Sequence, residues 1–463
     1  MASLPFSTLL PKFDCTGRRA VIAAVSGGSD SVALLLLAKA HLERTGTKLV
    51  AVTIDHGLRA ESADEAAGVA RLCAAEGIEH RTFRWTGPKP GTGIPAAARE
   101  ARYRLLAQAA DEADTDLVLT GHTKDDQAET IAMRRRRGEG RGLAGMAPAT
   151  LYAGRTWIAR PLLGNRRDDL RAFLRGRGID WIDDPTNRDT TYERARTRAT
   201  GVAMSGEDIA RAARERVALS ERVAALVRQR AVLVSPGLVR LAPEFAGNDK
   251  QAGIEALRIL LAVMGGGEHL ADAGRTAALF AGLAEPRRAT LSRCMVDVRR
   301  GGIFLHREGR GLPAPTPLRS GTIWDGRFLV SGEGGTLEPF GPDRARAFVA
   351  GGQTDALESA QMRKVETPDM TQMRQQQRDS MQTPQSLVRA ALAAWPAMRN
   401  EAGEAVPLGP PVPREGPSAT PLLSPWVRFL PSFDLAAARA VAELVGAPKM
   451  PASPFAGHIA IEA

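Results

Sequence analysis

The chain has 463 residues, 44% hydrophobic and 25% charged, which at about 150 residues per domain suggests two to four domains, each able to bury a core. No run approaches about 18 apolar residues, Met1–Pro5 open no secretion signal, and Cys15, Cys73 and Cys294 are far apart; a membrane span, a disulfide framework and a four-cysteine metal site are thus excluded, and the reducing cytoplasm is expected. The formal charge is +10, and 54 of the 62 basic residues are Arg, the side chain whose planar fork suits phosphate.

In chain order, residues 20–25 (AVIAAV) read as a buried strand, followed by an apolar helix around Val32–Leu42. Lys48–Ile54 is a second strand, and Ser62–Glu76 a helix with Ser62 and Glu65 placed as a capping box. Glu79–Phe83 is a weak third strand, Pro95–Ala113 a helix with Pro in its first turn, and Asp116–Thr120 a fourth strand. Strands without polar alternation, separated by helices, predict an α/β unit whose parallel sheet is covered on both faces. Ligands of such sheets bind beyond the strands' carboxyl ends. Residues 166–177 form a basic amphipathic helix and Gly206–Arg230 a longer one. Met295–Val298 and Gly302–Leu305 flank 299–301 as a hairpin, and Trp324–Val330 reads as a further strand. Eight of the twelve Gln fall between 353 and 385, ahead of a Pro/Gly-rich tract at 407–417, the composition of a weakly folded insert or linker. The expected domains are 1–150 with motifs extending to about 200, a basic helical region 151–265, a small mixed α+β domain 266–350, the insert 351–416 and a last segment 417–463.

The charge is uneven along these regions. Residues 1–130 carry 15 basic and 17 acidic side chains, residues 131–198 carry 16 and 8, and residues 199–463 carry 31 and 27. An excess of +8 within one short stretch is the footprint of a polyanionic partner, although a solvated basic face would look the same.

Ser26-Gly27-Gly28-Ser29-Asp30-Ser31 lies between the first strand and first helix. Two glycines let the backbone approach an anion, the helix N-terminus offers N–H groups, and three serines add hydroxyls. Asp30 repels bare phosphate, so its presence calls for a metal ion between them, Mg2+ by its preference for oxygen. After the fourth strand, His122, Asp125, Asp126, Gln127 and Glu129 crowd into eight residues. On a helix Asp125 and Glu129 share one face and Asp126 points about 100° away. Such a carboxylate cluster suits a cation such as Mg2+, and a histidine beside it can steady developing charge; acids at a helix N-terminus also simply suit its dipole.

SGGSDS after a buried strand resembles the pyrophosphate loop of the N-type ATP pyrophosphatase (PP-loop) superfamily. With Asp55-His56-Gly57-Leu58-Arg59, Gly121-His122-Thr123-Lys124-Asp125-Asp126-Gln127-Ala128-Glu129-Thr130, Arg160-Pro161-Leu162-Leu163 and Trp181–Asn187 in this order, residues 18–200 are similar to the tRNA(Ile)-lysidine synthetases. The resemblance implies an adenine nucleotide alpha hydrolase-like fold, ATP and Mg2+, free L-lysine, and a tRNA(Ile) with a CAU anticodon. Its reaction adenylates C2–O of the wobble cytidine, and lysine then displaces AMP. It implies catalytic roles for Asp30, His122 and Asp126, and ATP binding by Ser26–Ser31 and His56. Asp125, Asp126 and Glu129 would hold lysine or Mg2+, with Asp30 a metal ligand. Phosphate or tRNA would meet Arg99, Arg102, Arg134, Arg135, Arg136, Arg137, Arg160, Arg194, Arg196 and Arg198. A homodimer is expected from the resemblance alone. The chain departs from the family pattern at Glu139, where Ser is usual, and at Ala195, where many members have Asn.

Three rival readings share parts of this pattern. A glutamine-dependent amidotransferase needs a glutaminase cysteine and domain, and only 25 residues precede Ser26. A tRNA-thiolating enzyme commonly uses paired cysteines, whereas Cys73 lies alone in an apolar helical pattern and reads as core. A non-catalytic tRNA-binding protein with a vestigial ATP site would have no need of intact Ser26–Ser31 and His122–Glu129.

Overall fold

A computed structural model describes residues 12–58, 61–136, 141–182, 205–247, 249–353, 383–410 and 416–455. Arg137, Glu139, Arg194, Ala195, Arg196 and Arg198, together with most of the Gln/Pro-rich tract, lie outside the described residues. The chain divides into two units, Met1–Val217 with Arg428–Phe433 and Pro451–Ala463, and Ala218–Val427 with Asp434–Met450.

The first unit is built on β1 (Ala20–Ala24), α1 (Ser29–Leu42), β2 (Lys48–Asp55), α2 (Ser62–Ala75), β3 (Glu79–Arg84), α3 (Ile94–Glu112), β4 (Leu117–Thr120), α4 (Lys124–Arg136), β5 (Ala149–Tyr152), β6 (Thr156–Ala159) and α5 (Arg167–Arg175). Strand β1 pairs in parallel with both β2 and β4, and β3 and β6 extend the parallel run on either side. β5 and the strand Phe429–Pro431 add an antiparallel edge beyond β6. The parallel α/β prediction therefore holds over its four strands. The sheet also runs past residue 150 and takes in 149–159, where the sequence pattern places the border of a helical region.

Every residue of β1 and β4 is buried, as continuous apolar strands covered on both faces must be. Tyr103, Leu106, Ala109 and Ala110 of α3 pack with Ala20, Ile22 and Ala24 of β1, Val50 and Val52 of β2, Val118 and Ile158. Helix α1 buries Val32 to Leu36 without a break; an all-round apolar helix is a core element. It starts at Ser29, three residues before the predicted run, so Ser29–Ser31 form its first turn. The capping box expected at Ser62 differs too. Glu61 stands at the cap of α2, and the Ser62 hydroxyl bonds the Asp55 carboxylate.

Helix α6 (Gly206–Arg230) leads into the second unit. There β7 (Ala231–Ser235), β8 (Leu238–Leu241), β9 (Arg287–Leu291), β10 (Cys294–Arg299) and β11 (Gly302–Arg307) form a sheet in the order β7-β8-β11-β10-β9. The predicted hairpin is β10–β11, closing with Arg299 opposite Gly302. Residues 324–330 are not one strand. Asp325 and Gly326 take φ of +51° and +70°, a left-handed pair that reverses the chain, and Trp324 faces Phe328 across the turn. The Asp325 carboxylate is fully buried and receives Arg307, Arg327 and Arg293. Burial pulls Arg327 down to about 10, against the attraction of Asp325. Among the described residues no helix is long and apolar enough to cross a membrane.

Removing one member of a buried ion cluster strands the others, at a cost of about 3–5 kcal/mol. Asp325→Ala is therefore expected to lower the unfolding free energy measured by urea titration by that order. Arg293→Ala, whose side chain is 43% exposed, should cost far less. Equal losses would show that Asp325 is not the organising charge.

Candidate active site

The strand order places a switch point between β1 and β4, since α1 leads from β1 to β2 on one side and the chain returns to β4 on the other. The loop Ser26–Gly28 leaves β1 there and Gly121–Thr123 leaves β4. Gly27 has φ +84°, and a Cβ on it would lie 2.6 Å from Ile182 Cδ1. Ile182 N–H donates to Gly27 O at 2.9 Å, so the segment Trp181–Ile182 braces the loop. Gly28 has ordinary extended backbone and caps α1 without a side chain; only Gly27 needs its left-handed freedom.

The three serines divide their work. Ser31 Oγ donates to Gly28 O at 2.9 Å and accepts from Ser26 N–H at 3.1 Å, bracing the loop from within. Ser29, also buried, donates to Asp30 Oδ1 at 3.0 Å. Ser26 is exposed. Burial pushes the Asp30 carboxyl above its usual range, with Arg167 and Ser29 opposing that rise.

At the head of α4, Thr123 and Asp126 form a reciprocal cap of the kind the sequence suggests at Ser62. Asp126 Oδ2 accepts from Thr123 N–H at 2.8 Å and from its hydroxyl at 2.9 Å. Asp126 Oδ1 is turned the other way, to Arg167 Nη2 at 3.3 Å. Arg167 Nε meets Asp30 Oδ2 at 2.8 Å, so one guanidinium spans carboxylates from two helices. Its backbone N–H, the first of α5, is capped by Asp125 Oδ2 at 2.9 Å. Burial alone would weaken the charge on Arg167, but Asp30, Asp126 and Glu129 outweigh it and hold the guanidinium firmly protonated. Arg171, one turn along α5, donates to Ser29 Oγ at 3.4 Å. Neither arginine stands out in the sequence as a site residue.

Thr120 Oγ1 donates to Ala159 O at 3.0 Å and lies 3.0 Å from His122 Nδ1. With its only proton engaged by Ala159 O, Thr120 must accept there, so His122 carries a proton on Nδ1. His56 sits edge-on to Trp85 at 6.2 Å. Burial, with Arg102 nearby, lowers its pKa and keeps it neutral. Asp55 before it is held below the usual carboxylate range; burial resists, but Gly57 N–H, Ser62 and Arg84 prevail.

Other predicted positions serve the framework. Gln127, 1% exposed, exchanges hydrogen bonds with the Met146 backbone at 2.6 and 3.0 Å. Arg160, expected at phosphate or RNA, is 6% exposed and donates to Ala147 O, Thr150 Oγ1 and Ile158 O; its guanidinium is enclosed and does not reach a ligand surface. Arg134 donates to Gly142 O and Gly145 O. Arg99 lies over the Tyr103 ring at 5.0 Å. Arg99 and Arg135 are exposed, Arg102 half-buried. Arg136 ends α4.

Residues 6–202 match the family described as PP-loop domain, which makes this site that of a PP-loop protein. Over 95% of its length the chain is 50% identical to the tRNA(Ile)-lysidine synthase of Mesorhizobium japonicum, covering 95% of that protein. It is 43% identical over 68% of its length to the tRNA(Ile)-lysidine synthase of Rhizobium meliloti, covering 74% of it. For the tRNA(Ile)-lysidine synthase of Brucella ovis the figures are 41%, 68% and 75%. The chain belongs to the tRNA(Ile)-lysidine synthase family.

Two substitutions test the site's construction. A Cβ on Gly121 would lie 2.9 Å from the backbone C and O of Asp30 and 3.0 Å from Ser31 N. Gly121→Ala must displace the first turn of α1, at about 1–3 kcal/mol, and calorimetry should show ATP binding lost; parental affinity would mean the close approach is dispensable. Thr120→Val removes the acceptor that orients His122, whereas Thr120→Ser keeps it. The Val variant should lose kcat about ten-fold or more with KM for ATP little changed, and the Ser variant should recover it. Equal rates in both would remove Thr120 from the positioning of His122.

Proposed function

We propose that the chain ligates free L-lysine to C2 of the wobble cytidine in a CAU-anticodon tRNA(Ile). The C2 carbonyl oxygen attacks the α-phosphorus of ATP and pyrophosphate leaves. The ε-amino nitrogen of lysine then attacks C2, the C2–O bond breaks and AMP departs. An amide-like oxygen is a poor leaving group, and adenylation makes it a good one. The observation that carries this reading is the convergence of the Gly27–Ser31 loop, Asp30 and Asp126 at the switch point, in a chain of this family.

The first-turn N–H groups of α1 and the Gly27–Gly28 backbone bind the polyphosphate. Asp30 and Asp126 present hard oxygens to one cation. Among the described residues no group of three or more His, Cys, Asp or Glu is placed to hold a metal ion. Two carboxylates facing one cation are hard oxygen donors of the kind that would hold Mg2+. When bound, that ion supplies charge neutralisation at the departing pyrophosphate. His122 accepts a proton at the reacting centre. Exposed Arg99 and Arg135 meet the tRNA backbone. The reaction runs in the cytoplasm, with tRNA and free lysine. Sulfur transfer finds no support in Cys73, which is buried and whose thiol burial pushes up to about 11.

Purified protein incubated with ATP, Mg2+, labelled lysine and CAU-anticodon tRNA(Ile) should yield labelled lysidine in the nucleoside digest. Label in methionine tRNA, or none, would overturn the assignment. Asp30→Ala should reduce the rate by about 100-fold or more while its melting curve stays close to the parent's.

A further inference from the structure

The contact between Arg167 and the two carboxylates does more than join α5 to the loop. Arg167 is the first residue of α5, where the positive end of the helix dipole opposes a cation. Its own helix therefore does not hold the guanidinium in place; Asp30 and Asp126 do, at 2.8 and 3.3 Å. Its backbone is pinned separately by Asp125, so the side chain can change partners by rotation alone while α5 stays put. Arg171 on the same face already reaches Ser29 of the loop, which shows that this edge of α5 lies within side-chain reach of the Gly27–Ser31 turn.

A guanidinium and a second cation cannot share the same pair of carboxylate oxygens without strong repulsion. Polyphosphate, carrying more charge than either carboxylate, is the competitor able to draw the arginine off. Resting on the reading above, we propose that Arg167 is the built-in counter-cation of this site. It fixes Asp30 and Asp126 in place and releases them to an incoming cation, a divalent metal or an ammonium, when nucleotide phosphate takes over its guanidinium. Arg167 is thus a positioning residue that makes cation entry depend on nucleotide.

The test needs neither tRNA nor lysine, so it stands apart from the assignment of the reaction. Mn2+ is titrated by electron paramagnetic resonance into protein without nucleotide, and ATP with Mg2+ is titrated by calorimetry. Arg167→Gln should bind Mn2+ about ten-fold more tightly than the parent, because both carboxylates lose their internal cation, and should bind ATP about ten-fold more weakly. Arg167→Lys keeps the charge but cannot span both carboxylates, so it should fall between the two on both titrations. Unchanged or weaker Mn2+ binding in Arg167→Gln, or parental affinity for ATP, would overturn the proposal. If the Gln variant melts below the working temperature, the Lys variant decides: Mn2+ binding no tighter than the parent's overturns it. Failure of lysidine formation by the parent would instead count against the reaction.

Discussion

The end of β4 passes so close to the first turn of α1 that a single methyl on Gly121 would touch the Asp30 backbone. This contact follows from the parallel pairing of β1 with β4, where Ala24 faces Thr120. Neighbouring strands lie about 4.8 Å apart, and the two chains leave them side by side. Everything that faces the site is measured from that approach. Asp30 comes from one strand's exit and Asp126 from the other, and without the missing side chain at residue 121 they would not meet one arginine. A strand register inside the core thus sets a distance between charges at the surface.

Three helices begin at this point, α1, α4 and α5, and each carries acids in its first turn. The bland account of such acids, complementing the helix dipole, and the chemical account do not exclude one another. Asp126 gives one oxygen to the cap of its own helix and the other to Arg167. Capping fixes the carboxylate's rotamer, which is what a group that must meet a cation requires. Asp125, by contrast, is drawn to the α5 backbone, so its neighbour is better placed to meet substrate charge.

How much of this is legible in the sequence depends on whether a signal is local. Strands β1, β2 and β4, the loop after β1 and the helix carrying Asp126 rest on continuous apolar runs and turn residues, and they fall where the sequence puts them. The antiparallel edge at 149–159 escapes detection because its four-residue strands, with Thr150 and Thr156 among their residues, lack the apolar run that marks the equally short β4. The turn within Trp324–Val330 is hidden although Asp325-Gly326 is a local signal, because the flanking aromatics favour a strand more strongly. Arg167 has a fainter signal: a cation at a helix start, against the dipole, implies acids brought from elsewhere. Which acids is a tertiary fact and cannot be read from spacing.

The uneven charge takes on a different meaning in three dimensions. The excess in residues 131–198 suggests a surface for polyanions, yet much of it is used within the first unit. Arg160 is enclosed, Arg134 holds the Gly142–Gly145 turn, and Arg155 pairs with Asp111. Arg167 joins Asp30 and Asp126, and Arg171 and Arg175 lie over Trp181. Several of these partners belong to residues 1–130, the stretch with net charge −2. The acidic and basic stretches therefore complement each other in part, through ion pairs that the fold brings together. Net charge along a sequence counts arginines without asking what they face. Here the cations nearest the site are the ones already committed to it, and polyphosphate can recruit them only by exchanging partners.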